Sequence, residues 1–314
     1  MRPLQHLDEI IRALQRTFPE QDMAQGSDIP LDRRHFHALP SAMQDTPIIF
    51  VDGGNQEILG APHFSLQFIR VAVLTYLGTR MIRSAVHECF VLVTAVPAAG
   101  AFQYRVQGFG SPLLAELFFR DEDILPSEER TKSRIAGGMV RRLCELRAAL
   151  RESAERCTII LDGSLDAKHP LERELLAELE RQDITLCGLS KTTALLTASG
   201  NTLTAAVSSL APAGAWYYYP LAQGKPLYLA KLHPAARHLF SLDIRGDVPG
   251  CLAALRCHAQ DPSFLGYPYG LIRADAQARV KESEREYLKL ASLARLRELP
   301  SLHALDAHDV LDSL

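Results

Sequence analysis

The chain has no CxxC pair, no long apolar run, no internal repeat, no low-complexity tract and no basic excess. Each absence removes a class of function. The six cysteines, Cys89, Cys144, Cys157, Cys187, Cys251 and Cys257, are scattered, and several fall in apolar runs. That pattern excludes an obvious zinc site and predicts buried free thiols in a reducing compartment. A formal net charge of −3 excludes a surface that is basic all over, so nucleic acid would have to meet a local patch. No apolar run reaches the roughly 20 residues that span a bilayer. Met1-Arg2-Pro3 leads into an amphipathic helical pattern over 3–17 rather than a secretory signal. A soluble, cytoplasmic protein without membrane contact is expected.

What is present is core-forming material. Hydrophobic residues make up 47% of 314, enough for one large domain or two small ones. The most informative stretch is IIFVDGGN, 48–55. Ile48 to Val51 is a short apolar, β-favouring run and reads as a buried strand. It stops at Asp52-Gly53-Gly54. A carboxylate at the end of a buried strand is costly unless a cation or donor meets it. The glycines allow a sharp turn or close approach to a ligand. By itself the stretch reads more simply as a turn with Asp52 in water. A second copy shifts the balance: TIILDGS, 158–164, is again an apolar strand ending in Asp162-Gly163. Two such carboxylates on adjacent strands repel unless a divalent cation lies between them. The pair suggests an oxygen-ligand site for Mg²⁺ or Mn²⁺.

Along the chain, residues 18–46 read as a polar connector. Segments 65–78, 83–96 and 102–110 read as further strands of an antiparallel meander. Residues 112–156 look helical, with a break from Glu116-Leu117 through the charged loop around Pro126. Ile135, Met139, Leu143, Leu146 and Leu150 share one face of the long helix, with Glu145 beside the stripe. A helix from Pro170 to Arg181, a strand ending before Lys191, strands at 216–220, 225–234 and 238–244, and a helix at 249–258 follow. From Gly266 a Pro-containing turn continues into one long charged helix. This order predicts an α/β fold: an RNase H-like mixed sheet with flanking helices, elaborated by extra strands and a C-terminal helix. An N-terminal helix and connector occupy 1–46, the main domain 47–298 and a tail 299–314.

These motifs resemble the NurA family, nucleases that partner the HerA translocase in DNA end processing. The carriers are FVDGGN, RRLCELRAA, ILDGSL, GLSKTT, YLAKLHP and GYPYGLIRADAQARV, in order over about 47–290. The resemblance implies a metal-dependent deoxyribonuclease, a 5′→3′ exonuclease with single-strand endonuclease action, working in end resection and double-strand break repair. It also implies a homodimer docked on a HerA-type hexameric ATPase, with single-stranded DNA and duplex ends as substrates. Residue by residue, it makes Asp52, Glu145 and Asp162 the acidic ligands of Mn²⁺ or Mg²⁺, two ions in all, and gives a role to Tyr267. Where the family carries a His, this chain has Asp275. A carboxylate replaces imidazole as a ligand for a hard cation. Lys191, after the next strand, is read as a point charge toward phosphate.

Each position has a plainer reading. Glu145 pairs with Arg141 or Arg142 on its own helix; Asp162 is a turn residue; Asp275 favours a helix start. Tyr267 packs in a turn, and Lys191 faces solvent. The tract Trp216–Tyr219 stacks on bases or packs a core. Arg130, Lys132, Arg134, Arg141 and Arg142 form a candidate basic stripe for DNA. Two other functions compete. One is an ASKHA-type ATPase or sugar kinase using Gly53-Gly54 and Gly137-Gly138 as phosphate loops; the other is a non-catalytic DNA-repair adaptor on the same fold.

Overall fold

The computed structural model describes residues 6, 7, 11, 22–41, 45–125, 127, 131–191 and 195–296. Most of the 3–17 helix, Pro126, Arg130 and the tail from 299 lie outside these residues. The chain forms two compact units, each assembled from separated stretches: 1–43 with 187–268, and 44–186 with 269–314.

The larger unit holds the meander. Strands β2 (Pro47–Ala61), β3 (Phe64–Leu77), β4 (Arg80–Ala98) and β5 (Ala101–Phe109) pair antiparallel in succession. Strand β7 (Thr158–Asp162) returns parallel to β2, in register from Ile48↔Thr158 to Val51↔Leu161. The order across the unit is β7-β2-β3-β4-β5, with β6 (Leu117–Arg120) beyond β5. The crossover is helix α1 (Lys132–Glu152), started by Thr131, whose hydroxyl accepts from the Arg134 N–H. Val140, Leu143, Cys144 and Leu146 of α1 are buried with Ile49, Val51, Ile159 and Leu161. Period-two alternation then turns Phe50 to the opposite face. There helix α5 (Tyr269–Ala278) meets it at Gly270, where an added Cβ would lie 2.1 Å from the Phe50 ring. Helix α2 (Pro170–Glu180) packs beside α1. An antiparallel meander, a helical crossover and a parallel strand beside the first make this an RNase H-like mixed sheet with flanking helices.

Two local expectations fail. Residues 112–115, read as helical, lie in no helix, and the break expected after them holds strand β6 (Leu117–Arg120) at the sheet edge; α1 begins at Lys132, where that break was expected to end. Phe119 is fully buried while Phe118 is half exposed, the two-residue alternation of a strand. The long C-terminal helix is also two helices: α5 stops at Ala278, and α6 (Glu282–Leu296) starts after a break. At that break Val280 is buried with Ile58, Leu59 and Phe68. The Arg279 carbonyl accepts from Arg70, 3.2 Å away. Burial of one valine and capture of one carbonyl outweigh the helical pattern.

In the smaller unit, β9 (Trp216–Tyr218), β10 (Leu227–Lys231) and β11 (Phe240–Arg245) pair antiparallel, with β1 (Phe36–Ala38) beside β9. Strand β8 (Thr185–Ser190) carries the chain into it, and helices α3 (Leu203–Leu210) and α4 (Val248–His258) complete it. Trp216 and Tyr218 are core residues packed with Leu203, Val207 and Leu229, so the aromatic tract is chiefly packing. Five of the cysteines are buried free thiols, and Cys257 is half-buried. Among the described residues no helix is long and apolar enough to cross a membrane.

Candidate active site

The parallel register of β2 and β7 decides the centre of the site. Val51 is level with Leu161, so the next residues, Asp52 and Asp162, lie side by side on strands about 4.8 Å apart. Both project on one face. β7 ends at Asp162, where Gly163 leaves the strand at φ +103°, while β2 runs on to Ala61. The sheet therefore opens beside the two carboxylates.

Asp52 is only 7% exposed. Burial pushes its pKa up, Asp162 and Glu145 push it further, and Asp275 adds to this, against a hydrogen bond from the Gly53 N–H; the result is about 7. Carboxylates from β2, α1, β7 and α5 thus act on one another at one place.

Glu145 reaches this place from the α1 side and is 2% exposed. A Cβ on Gly53 would lie 2.6 Å from its Oε1. Arg141, one turn back, pairs with that oxygen and also donates to the Gly53 carbonyl at 2.8 Å. Arg142 pairs with Oε2 at 3.1 Å and donates to the Ser164 carbonyl at 2.8 Å. Glu145 thus has the arginine partners of its plainer reading, but it is buried with them instead of lying in water. Burial raises its pKa, the two arginines pull it down, and Asp162 raises it again, for a net upward shift. Asp275 comes from the other face on α5 and pairs with Arg279 at 2.5 Å.

The two glycines of DGGN have separate tasks. Gly53 admits Glu145, and Gly54 admits the end of α5, since a Cβ there would lie 2.3 Å from the Ala278 carbonyl oxygen. Gly137 sits against Gln67, and Gly138 has open space beside it. Gly53 and Gly54 lie within β2 and Gly137 and Gly138 within α1, so neither pair forms the glycine-rich loop that an ATPase or kinase reading needs.

Tyr267 and Lys191 belong to the smaller unit. Tyr267 is buried, and the Lys191 ammonium lies 5.1 Å from its ring centroid, a cation–π contact. The proposed basic stripe is largely neutralised: Lys132 pairs with Asp121, Arg134 with Glu57, and Arg141 and Arg142 with Glu145. Arg130 is outside the described residues. Spacing alone does not show that neighbouring acids take up these charges. A groove of about 670 Å³ runs past Glu145 and Asp162, with Arg141, Arg142, Ser164 and Lys168 on its walls.

No family model matches the chain, and no curated protein matches it. Among solved structures, it is similar to the NurA nuclease from Sulfolobus solfataricus. That match covers 85% of this chain and 89% of the NurA nuclease, at 13% identity and a TM-score of 0.49. Endonuclease V of Ciona intestinalis, solved with a DNA containing inosine, matches over 78% of this chain and 87% of its own, at 11% identity and a TM-score of 0.38. Marinitoga piezophila Argonaute matches over 77% of this chain but 31% of its own, at 11% identity and a TM-score of 0.38.

The donor set fits a hard divalent cation in chemistry: Asp52, Glu145, Asp162 and Asp275 supply only carboxylate oxygen, and such a charge opposes both the burial and the carboxylate repulsion that raise Asp52's pKa. Among the described residues, no three His, Cys, Asp or Glu side chains are already arranged around one ion position.

Proposed function

We propose that the protein is a divalent-metal-dependent deoxyribonuclease, with the NurA-like activities and partners named above. One observation carries the reading. Asp52, within β2, and Asp162, at the end of the parallel neighbour β7, lie side by side, and Glu145 and Asp275 are close enough to raise Asp52's pKa with Asp162. Mn²⁺ or Mg²⁺, when bound, supplies charge neutralisation at phosphorus and an activated water. Asp52, Asp162 and Asp275 would hold the ions, with Glu145 joining them once its arginines let go. Asp52 must give up its proton to act as a ligand, so its burial sets a lower pH limit on loading. Arg141 ties β2 to α1 through the Gly53 carbonyl, and Arg142 ties the exit of β7 to α1 through the Ser164 carbonyl. Tyr267, by the resemblance, and Lys191, as a point charge, act on DNA phosphate. A homodimer on a HerA-type hexameric ATPase, acting in end resection, completes the proposal.

The test is digestion of labelled single- and double-stranded DNA with Mn²⁺ or Mg²⁺. Wild type should degrade DNA, and Asp52→Ala should lose about 100-fold or more, the loss expected when metal stabilisation of several kcal/mol is removed. Equal digestion by Asp52→Ala would refute the site. Asp275→His tests the departure from the family; a rise in activity would show that imidazole serves better there. One observation favours a second reading, a non-catalytic adaptor: Glu145 and Asp275 are both tied to arginines. That reading predicts binding to DNA or to the ATPase with no cleavage in any divalent metal.

A further inference from the structure

The smaller unit contains a second concave feature, of about 390 Å³, with a different character. Three chain segments build it. The end of β8 delivers Ser190 and Lys191, one face of α3 delivers Thr204 and Ser208, and the approach to β11 delivers Arg237 and His238. Among the described residues that line it none is a carboxylate, and the apolar ones are Ala205 and Leu239. In a chain of net charge −3, a wall of lysine, arginine, histidine and hydroxyls is a local reversal of sign.

Two of these side chains are positioned by rings. Lys191 lies over Tyr267, 5.1 Å from its centroid. His238 stacks on Phe264, with centroids 5.7 Å apart and planes 17° from parallel. Side chains restrained in this way lose less freedom when they bind. Arginine offers a planar fork to phosphate oxygens, lysine a point charge, and serine or threonine hydroxyls single donors. The sparse apolar lining offers no platform for a base. The group recognised is therefore an oxyanion and not a nucleobase.

We propose that this pocket binds a phosphate group, carried either by a free nucleotide or by a nucleic-acid strand. The proposal does not depend on cleavage at the carboxylate cluster. The full chain carrying Asp52→Asn, in EDTA and about 0.15 M salt, separates the two questions, because no metal-dependent contact can then contribute. Inorganic phosphate, thymidine 5′-monophosphate and an oligothymidylate lacking terminal phosphates are titrated calorimetrically. At least one should bind, and Arg237→Ala should weaken it about tenfold or more, as expected for loss of a charge-assisted hydrogen bond. Arg237 is exposed, so the variant should fold as the parent does. Lys191→Ala should weaken the same probe. Binding of phosphate and the mononucleotide supports a free ligand; binding of the oligothymidylate alone supports a strand. If no probe binds, or if both alanine variants bind within about twofold of the parent, the pocket is not a phosphate site.

Discussion

At the residue scale, Asp52 makes the sharpest statement. Its pKa of about 7 lies above the roughly 3.9 of an unfolded aspartate. Between those values the folded chain keeps a proton that the unfolded chain releases. Stability of the metal-free protein should therefore be lost as pH rises from about 4 to about 7 and level off above, by at most ~4 kcal/mol from this group. Urea unfolding in EDTA at pH 5 and pH 8 measures the loss. Asp52→Asn should be the more stable protein at pH 8 and should flatten the slope. An identical slope in both proteins would mean that the carboxylate is not held near neutrality. Asp162 and Gly163 were readable at this scale because a strand ending in Asp-Gly is a local pattern. The clasp of Arg141 and Arg142 on Glu145 was visible as i,i+4 and i,i+3 spacing, but its burial was not.

At the scale of elements, α1 carries a contrast between neighbours. A Cβ on Gly137 would lie 2.0 Å from the Gln67 amide nitrogen. Gln67 cannot swing aside easily, since it bonds Asn55, Ser65 and the Arg134 carbonyl. Gly138 meets nothing within 4 Å. Gly137→Ala should cost about 1–3 kcal/mol by overpacking. Gly138→Ala should gain up to about 1 kcal/mol from helix propensity. Chemical denaturation of the two variants checks both signs, and a shared sign would contradict the packing of α1 on β3. The strands of the meander and the long helix were legible from period and propensity. The β6 edge strand was not, because Leu117–Arg120 is too short for alternation to stand out. The break between α5 and α6 was hidden because a charged helical pattern runs through it; the contacts of Val280 and Arg70 decide it.

At the scale of the whole molecule, the proposed ion load is a folding term as well as a catalytic one. A ligand that binds only the folded chain stabilises it by about 2.7 kcal/mol at a hundredfold excess over its dissociation constant. Mn²⁺ at pH 7.5 should therefore raise the thermal midpoint of the wild type. The rise should disappear in an Asp52→Asn, Asp162→Asn double variant. A rise retained in the double variant would place the ion elsewhere. Both compact units are assembled from stretches that are not adjacent in sequence. No linker composition marks that division, because contacts define it.

The sequence by itself determined what depends on near neighbours along the chain. It placed an apolar run followed by Asp-Gly on two strands, with a helical stripe between them, because propensity and periodicity act over a few residues; that β2 runs past Asp52 to Ala61 instead of ending there it did not show. The tertiary structure alone decided that Glu145, Asp162 and Asp275, from two helices and a second strand, act on Asp52, and that the glycines after Asp52 make room for Glu145 and α5. Burial and charge repulsion act through space, so the protonation of Asp52 depends on groups that the chain keeps as much as 223 positions away.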